Sequence, residues 1–216
     1  MKEGFLRLLN GKKLRTNKSN NLRPTSNVVR EALVNIIRKD IINSSWLDLC
    51  SGSGAIASEA IIHGAKKVYA IEKDKKNAAL CKFNIFSIPN SHEKDKDIRV
   101  FCSDSIKWIK KYSEIHQDQN NKIAIKNKFD FFYIDPPYIQ NLYLPIMQEI
   151  FNSKIYKKSS LIICECSAKN EISVAEEWIE VINKKYGNTR LLFFTLNQAF
   201  HHLVDIDSKQ LQTNLE

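Results

Sequence analysis

Trp46-Leu47-Asp48-Leu49-Cys50-Ser51-Gly52-Ser53-Gly54-Ala55 is the stretch that decides how this chain of 216 residues folds. An apolar run near 46–50 has the composition of a buried strand. It breaks into two Ser-Gly pairs and continues as a helix from Ala55 to His63. Glycines at a strand-to-helix turn allow a tight bend and let the backbone approach a ligand. The fingerprint is incomplete, since Ala57 stands at the third glycine position, and no Gly-Lys-Ser/Thr phosphate loop follows.

Outward from this unit, strand and helix patterns alternate. Strands are expected near 46–50, 67–73, 98–102, 129–134, 160–166, 190–196 and 200–206. Helices are expected near 54–63, 74–87, 103–112, 141–151 and 173–185. Such alternation predicts an α/β fold with a seven-stranded, mostly parallel sheet and helices on both faces. The two final strands, separated by Asn197-Gln198-Ala199, are expected to pair antiparallel. Upstream, Asn10-Gly11 between alternating segments predicts a small hairpin over residues 5–15. A helix follows Arg23-Pro24-Thr25, with Val28, Val29, Ala32, Leu33, Ile36 and Ile37 at helical spacing and Thr25 or Ser26 as its cap. Arg30 is placed on its polar side. The polar stretches 89–97 and 114–128 read as irregular loops, and the division expected is 1–22 as a basic hairpin or arm, 23–208 as the main domain and 209–216 as a polar tail.

With 43% hydrophobic residues the chain can bury a core, and no apolar run approaches a membrane span. The N-terminus lacks the features of a secretory signal, so a cytoplasmic protein without membrane contact is expected. The five cysteines form no Cys-x-x-Cys pair and read as buried, reduced thiols, with no metal site. The net charge is +9, and residues 1–39 carry ten Lys/Arg against Glu3 and Glu31. An excess gathered at one end predicts a polyanion contact there.

Acids recur where strands end. Glu72 ends the second strand of the alternating region and can accept from both ribose hydroxyls of a nucleoside. Asp104 follows the third strand and can accept from an adenine amino group. Asp48 lies just inside the first strand's end, placed to orient the loop or an ammonium group. This set recurs in methyltransferases that use S-adenosylmethionine (SAM) and release S-adenosylhomocysteine (SAH); the glycine loop alone also suits NAD.

The fourth strand, Phe131-Phe132-Tyr133-Ile134, runs into Asp135-Pro136-Pro137-Tyr138. An exocyclic amine of a nucleobase is a weak nucleophile, because its lone pair is delocalised into the ring. Asp135 and the Pro136 carbonyl can accept its two N–H groups, Pro137 shapes the turn, and Tyr138 can stack on an extruded base. The proton leaves either to Asp135 or to water.

Leu22-Arg23-Pro24-Thr25 with Val29-Arg30-Glu31-Ala32-Leu33, then Leu47 to Ala55 with Glu59-Ala60, Ile71-Glu72-Lys73-Asp74 and Asp135 to Tyr138, resemble the RsmD family. Its members are 16S ribosomal RNA guanine-N2 methyltransferases, and the resemblance spans roughly residues 5–206. It implies a Rossmann-like class I SAM-dependent methyltransferase fold with SAM near Asp48, Ser51, Gly52, Ser53, Gly54, Glu72, Lys73, Asp104 and Ser105, and no metal. It implies a target guanine at Asp135 to Tyr138 and RNA contacts from Arg7, Lys12, Lys13, Arg15, Arg23, Thr25 and Arg30. The partner implied is small-subunit rRNA, in a partly assembled subunit, met by a monomer. The hairpin is shorter than the family's usual Gly- and Arg-rich stretch. The rivals are a DNA amino-methyltransferase acting on adenine N6 or cytosine N4, for which 78 residues after the motif leave little room to read bases, and a non-catalytic RNA-binding module.

Overall fold

The structure, a computed structural model, describes residues 3–17, 25–120, 122–137 and 142–200. A two-stranded hairpin, β1 (Glu3–Arg7) and β2 (Lys13–Asn17), opens the chain. Gly11 at φ +86° makes its turn possible. Helix α1 (Asn27–Ile37) is capped by Ser26, whose side chain accepts from the Val29 N–H. Then come β3 (Ser45–Leu49), α2 (Ala55–Ile62), β4 (Lys67–Glu72), α3 (Lys75–Phe86), β5 (Asp97–Cys102), α4 (Ser105–His116), β6 (Phe129–Ile134), α5 (Tyr143–Asn152), β7 (Tyr156–Ser167), β8 (Trp178–Tyr186) and β9 (Thr189–Leu196).

The seven strands from β3 onward form one sheet in the order β5-β4-β3-β6-β7-β9-β8. The first five run parallel, and β9 pairs antiparallel with both β7 and β8. The central strand β3 is buried along its whole length, as its apolar composition requires. One face packs against α4 and α5 through Trp108, Ile109, Ile146 and Met147. The other packs against α1, α2 and α3 through Leu33, Ile37, Ile61 and Ile85. The α4 helix runs four residues past the span expected for it, to His116, into what the sequence suggested was loop.

Two expectations at the C-terminal end are corrected. The segment expected to be a helix over 173–185 contains strand β8 instead. Its Ile179, Val181 and Ile182 are β-branched, and Gly187-Asn188 (Gly187 at φ +59°) makes a two-residue turn that pairs Tyr186 with Thr189. That turn chemistry selects a hairpin over a helix. The seventh strand is therefore β8, and the final antiparallel pair is joined at Gly187-Asn188, not at Asn197-Gln198-Ala199. Residues 198–200 form a short 3-10 turn; the rest of the strand expected at 200–206 lies outside the described residues. All five thiols are free; Cys81, Cys164 and Cys166 are buried as expected, Cys50 is partly buried, and Cys102 is exposed.

The N-terminal hairpin shares the main core. Leu6, Leu8 and Leu14 are buried in the same cluster as α1, α2 and α3. A polar lock holds it there. Arg30 is 0% exposed, contrary to its expected place on the polar side, and its Nε lies 3.2 Å from Glu59 Oε1 on α2, which is 1% exposed. Arg30 also donates to the Arg7 carbonyl at 2.7 Å, to the Thr25 carbonyl and to Asn27. Glu59 in turn accepts from the Leu9 N–H at 3.0 Å. Burial pushes the Glu59 carboxyl upward, while Leu9, Arg30 and His63 pull it back. Removing one partner of a buried pair strands the other without compensation. Glu59→Ala is therefore expected to cost about 3–5 kcal/mol of stability, read from a urea unfolding midpoint. Arg30→Met with Glu59→Leu should recover most of it, and an unchanged midpoint in the single variant would contradict the lock.

Candidate active site

Strand order places the site. From β3 the chain moves through α2 to β4 and β5 on one side, then returns past β3 to β6 and β7. Helices α2 and α3 cover one face and α4 and α5 the other, so a crevice opens beyond the carboxyl ends of β3 and β6. Leu49 is paired with Ile134, which sets Cys50 level with Asp135 across the crevice. A cleft of about 660 Å³, counting its open mouth, lies there. Asp48, Cys50, Ser51, Gly52, Ser53, Tyr133 and Asp135 line it, with Thr16 and Thr25 from the N-terminal region.

The loop from Cys50 to Gly54 is held in an unusual backbone. Cys50 sits at φ +90°, Gly52 at +52° and Gly54 at +79°. A Cβ on Gly54 would come within 2.8 Å of Cys81 Sγ, so this glycine lets α3 approach the turn. A Cβ on Gly52 would meet nothing within 4 Å, which leaves the backbone open toward the cleft. Glu72 fastens the loop: it accepts from the Gly52 N–H at 2.8 Å with one oxygen and from the Asp74 N–H at 2.8 Å with the other. Burial raises the Glu72 carboxyl, against the pull of those two N–H groups. Asp48 accepts from the Ala57 N–H at 3.2 Å, fixing the first turn of α2.

Asp104 caps α4 by accepting from the Lys107 N–H, and its carboxylate lies 3.7 Å from Lys73 Nζ. Ser105 Oγ is 3.8 Å from Cys50 Sγ. Burial pushes the Cys50 thiol up to about 12, so it is a neutral wall of the site rather than a nucleophile.

Acids crowd the cleft. Burial pushes Asp48 up to about 8, with the neighbouring Glu72 adding to the shift. Asp135 is raised well above the ordinary carboxylate range by burial, then by Glu165 and Asp48. Glu165, on β7, is a site residue that the sequence reading missed. Its carboxylate accepts from Thr25 Oγ at 2.9 Å and from Tyr133 Oη. The signal was there: a charged residue between Cys164 and Cys166 in an apolar strand is costly unless it has a task.

Asn84, on α3, was also missed. It is 1% exposed, accepts from the Arg15 N–H at 3.0 Å, and donates to the carbonyls of Arg15 and Ser53, each at 2.8 Å. One side chain thus ties the hairpin to the glycine loop.

The structure therefore gathers Asp48, Ser51, Gly52, Ser53, Gly54, Glu72 and Asp135 around one crevice, with Lys73, Asp104 and Ser105 at its β4–β5 side. Pro136 is buried and Pro137 exposed; Tyr138 lies outside the described residues. Of the basic set, Arg7, Lys13 and Arg15 are exposed and Lys12 is partly so. Arg23 lies outside the described residues. Arg30 is corrected: it is sealed in the lock with Glu59 and does not present itself to RNA. Thr25 is buried with its hydroxyl on Glu165, at the wall of the cleft.

The residues fit SAM. The cleft is rich in carboxylates, and SAM is cationic at both its sulfonium and its ammonium. The open backbone at Gly52 and the acids Glu72 and Asp104 offer acceptors of the kind a nucleoside needs. Among the described residues no group of His, Cys, Asp and Glu could hold a metal ion. No described helix is long and apolar enough to cross a membrane.

Sheet order and cleft together define the Rossmann-like class I fold of SAM-dependent methyltransferases. Comparison with known proteins narrows this. Residues 8–195 match the family described as Conserved hypothetical protein 95. The chain is 33% identical over 181 residues to the Ribosomal RNA small subunit methyltransferase D of Buchnera aphidicola subsp. Acyrthosiphon pisum, covering 83% of this chain and 85% of that protein. The chain belongs to this family, the RsmD family. The fold is shared with yhhF from Escherichia coli, with a TM-score of 0.72 at 21% identity over 90% of this chain and 99% of that one. It is shared also with a SAM-dependent methyltransferase from Agrobacterium tumefaciens, with a TM-score of 0.58 at 16% identity over 91% and 70% of the two chains.

The raised Asp48 carboxyl has a stability consequence. Its ordinary value is 3.8 and its folded value about 8, so between these the folded protein holds a proton that the unfolded chain has released. Stability contributed by this group therefore falls as pH rises through that window. Asp48→Asn keeps an oxygen for the Ala57 N–H and removes the titration. Its Tm should gain on the parent's as pH rises from about 5 to about 8. Parallel curves would place the proton elsewhere.

Proposed function

We propose that this protein transfers a methyl group from SAM to the exocyclic N2 amine of a guanine in small-subunit ribosomal RNA. The observation that carries the reading is the placement of Asp135 level with the glycine loop across the β3–β6 crevice. Relatives named Ribosomal RNA small subunit methyltransferase D, and the hairpin's exposed Arg7, Lys13 and Arg15, support RNA as substrate.

Bound SAM supplies a methyl group already activated on a positively charged sulfur. The chain's residues supply alignment, which can be worth roughly 7–11 kcal/mol at the upper end. Glu72 and Asp104 take the nucleoside, and Asp48 and the 51–54 loop take the methionine end. Asp135 and the Pro136 carbonyl accept the two N–H groups of the amine, so that its nitrogen can pyramidalise toward the methyl. Tyr138 stacks on the extruded base. A guanine entering the cleft meets Asp135 in a crowded acidic setting, where the carboxyl holds a proton more readily than usual. A cation bound near Asp48 and Asp135 relieves that crowding and leaves Asp135 ionised as an acceptor. Asp135, so ionised, would take the amine's surplus proton, directly or through water, as the N–C bond forms and the S–C bond breaks to leave SAH.

Asp135→Ala is expected to leave SAM affinity within a few-fold and to lower methyl transfer by at least about 100-fold. Calorimetry with SAH and single-turnover transfer separate the two, and retention of most activity would refute the role. Incubation with tritiated SAM and small subunits from a strain lacking the enzyme, followed by mapping of the labelled nucleotide, tests the substrate. Label at a guanine N2 of small-subunit RNA is expected, with partly assembled particles labelled better than naked RNA. Label on DNA, or no SAM binding at all, would overturn the reading.

A further inference from the structure

Beyond the cleft, the outer face of the hairpin carries an arrangement that the methyl-transfer chemistry does not use. Among the described residues, the exposed large hydrophobic side chains are aliphatic with two exceptions, Phe5 (64% exposed) and Phe83 (51%). Both meet at Arg15. The Arg15 guanidinium lies over the Phe83 ring at 4.2 Å from its centroid. Phe5 is the cross-strand partner of Arg15 in the hairpin register, so the two side chains leave the same face a few ångströms apart. Arg7 and Lys13 form the next pair on that face, while Leu6 and Leu14 between them point into the core.

We propose that Phe5, Arg15 and Phe83 form a platform on which unpaired RNA bases stack, flanked by Arg7 and Lys13 for the phosphates. This rests on the reading of the protein as an RNA methyltransferase and specifies how its RNA is held. A scattered exposed ring needs no explanation. One ring beneath a planar cation and a second on that cation's cross-strand neighbour, on a basic ridge, make a surface that offers both π-faces and positive charge. Bases have π-faces and phosphates are anions, so a single strand satisfies both at once. An A-form duplex keeps its bases stacked inside and offers such a platform only its backbone.

The platform is also registered to the cleft. Asn84 grips the Arg15 backbone at both its N–H and its carbonyl and holds the Ser53 carbonyl of the glycine loop. Thr16, the next residue along, lines the cleft that contains Asp135. A base stacked at Phe5 and Phe83 therefore lies at a fixed separation from the base presented to Asp135. The RNA engaged is unpaired on both counts.

Fluorescence anisotropy with a short single-stranded oligoribonucleotide and its duplex tests this without any methyl transfer. Wild-type protein should prefer the single strand. Phe5→Ala and Phe83→Ala should each weaken single-strand binding roughly tenfold while leaving the salt dependence of log Kd unchanged. Lys13→Ala should weaken it and lower the salt slope by about 0.7, the value for one phosphate deprived of its cation on a single strand. Phe5→Leu and Phe83→Leu keep apolar bulk without a ring and should bind as weakly as the alanine variants. Full binding by the leucine variants would point to a protein partner on an apolar patch and overturn the proposal. So would wild-type affinity in the alanine variants, or equal losses on single strand and duplex. These outcomes are independent of the substrate assignment, whose failure would show instead as absent label on small-subunit RNA with wild-type protein.

Discussion

The strand order reverses between β3 and β6, and everything functional in this molecule is arranged around that reversal. Parallel strands must be joined by crossovers of one hand. The chain therefore places α2 and α3 on one face on its way out and α4 and α5 on the other on its way back. No helix can close over the point where the two directions part. The ends of β3 and β6 are thereby left open, and the residues that follow them, Cys50 to Gly54 and Asp135 to Pro137, become the walls of a cleft.

That opening is chemically lopsided. Asp48, Glu72, Asp135 and Glu165 are drawn together, and burial raises the first three carboxyls. A site that concentrates acids in this way is poorly suited to an anionic ligand and well suited to a cation. The loop is held by hydrogen bonds from Gly52 to Glu72 and from Asn84 to Ser53, so this side of the cleft is organised before any ligand arrives. The exposed cationic groups of the N-terminal hairpin, Arg7, Lys13 and Arg15, lie outside this acidic interior. Under the proposed function, separation of the two charges on one small body would let a basic rim attract RNA while an acidic floor takes a cation.

The hairpin matters because it is fixed. Its leucines join the core, and Arg30 and Glu59, both sealed from solvent, hold its backbone at Arg7 and Leu9. This recasts the Arg-Glu-Ala-Leu segment of α1. An arginine that the resemblance assigned to RNA serves instead to dock the element that carries exposed cations. A guanidinium with five donors suits that task, since it can bond a carboxylate and several carbonyls at once.

Local signals were legible along the chain because they are satisfied locally. The strand–glycine–helix unit, the acids at strand ends, the Asn10-Gly11 turn and the Asp135-Pro136-Pro137 run each follow from backbone geometry within a few residues. They determined the fold class and the place of the crevice. Strand β8 was misread because Trp178 to Tyr186 is an edge strand whose period is blurred by solvent exposure, and its identity depends on pairing with β9 across Gly187-Asn188. Whether a polar side chain faces water or a partner 29 residues away, as Arg30 faces Glu59, is decided only when helices pack. That is why Arg30 looked like a surface contact, and why Asn84 carried no obvious mark. Sequence sets which groups can bond; the packed sheet and helices set which of them meet.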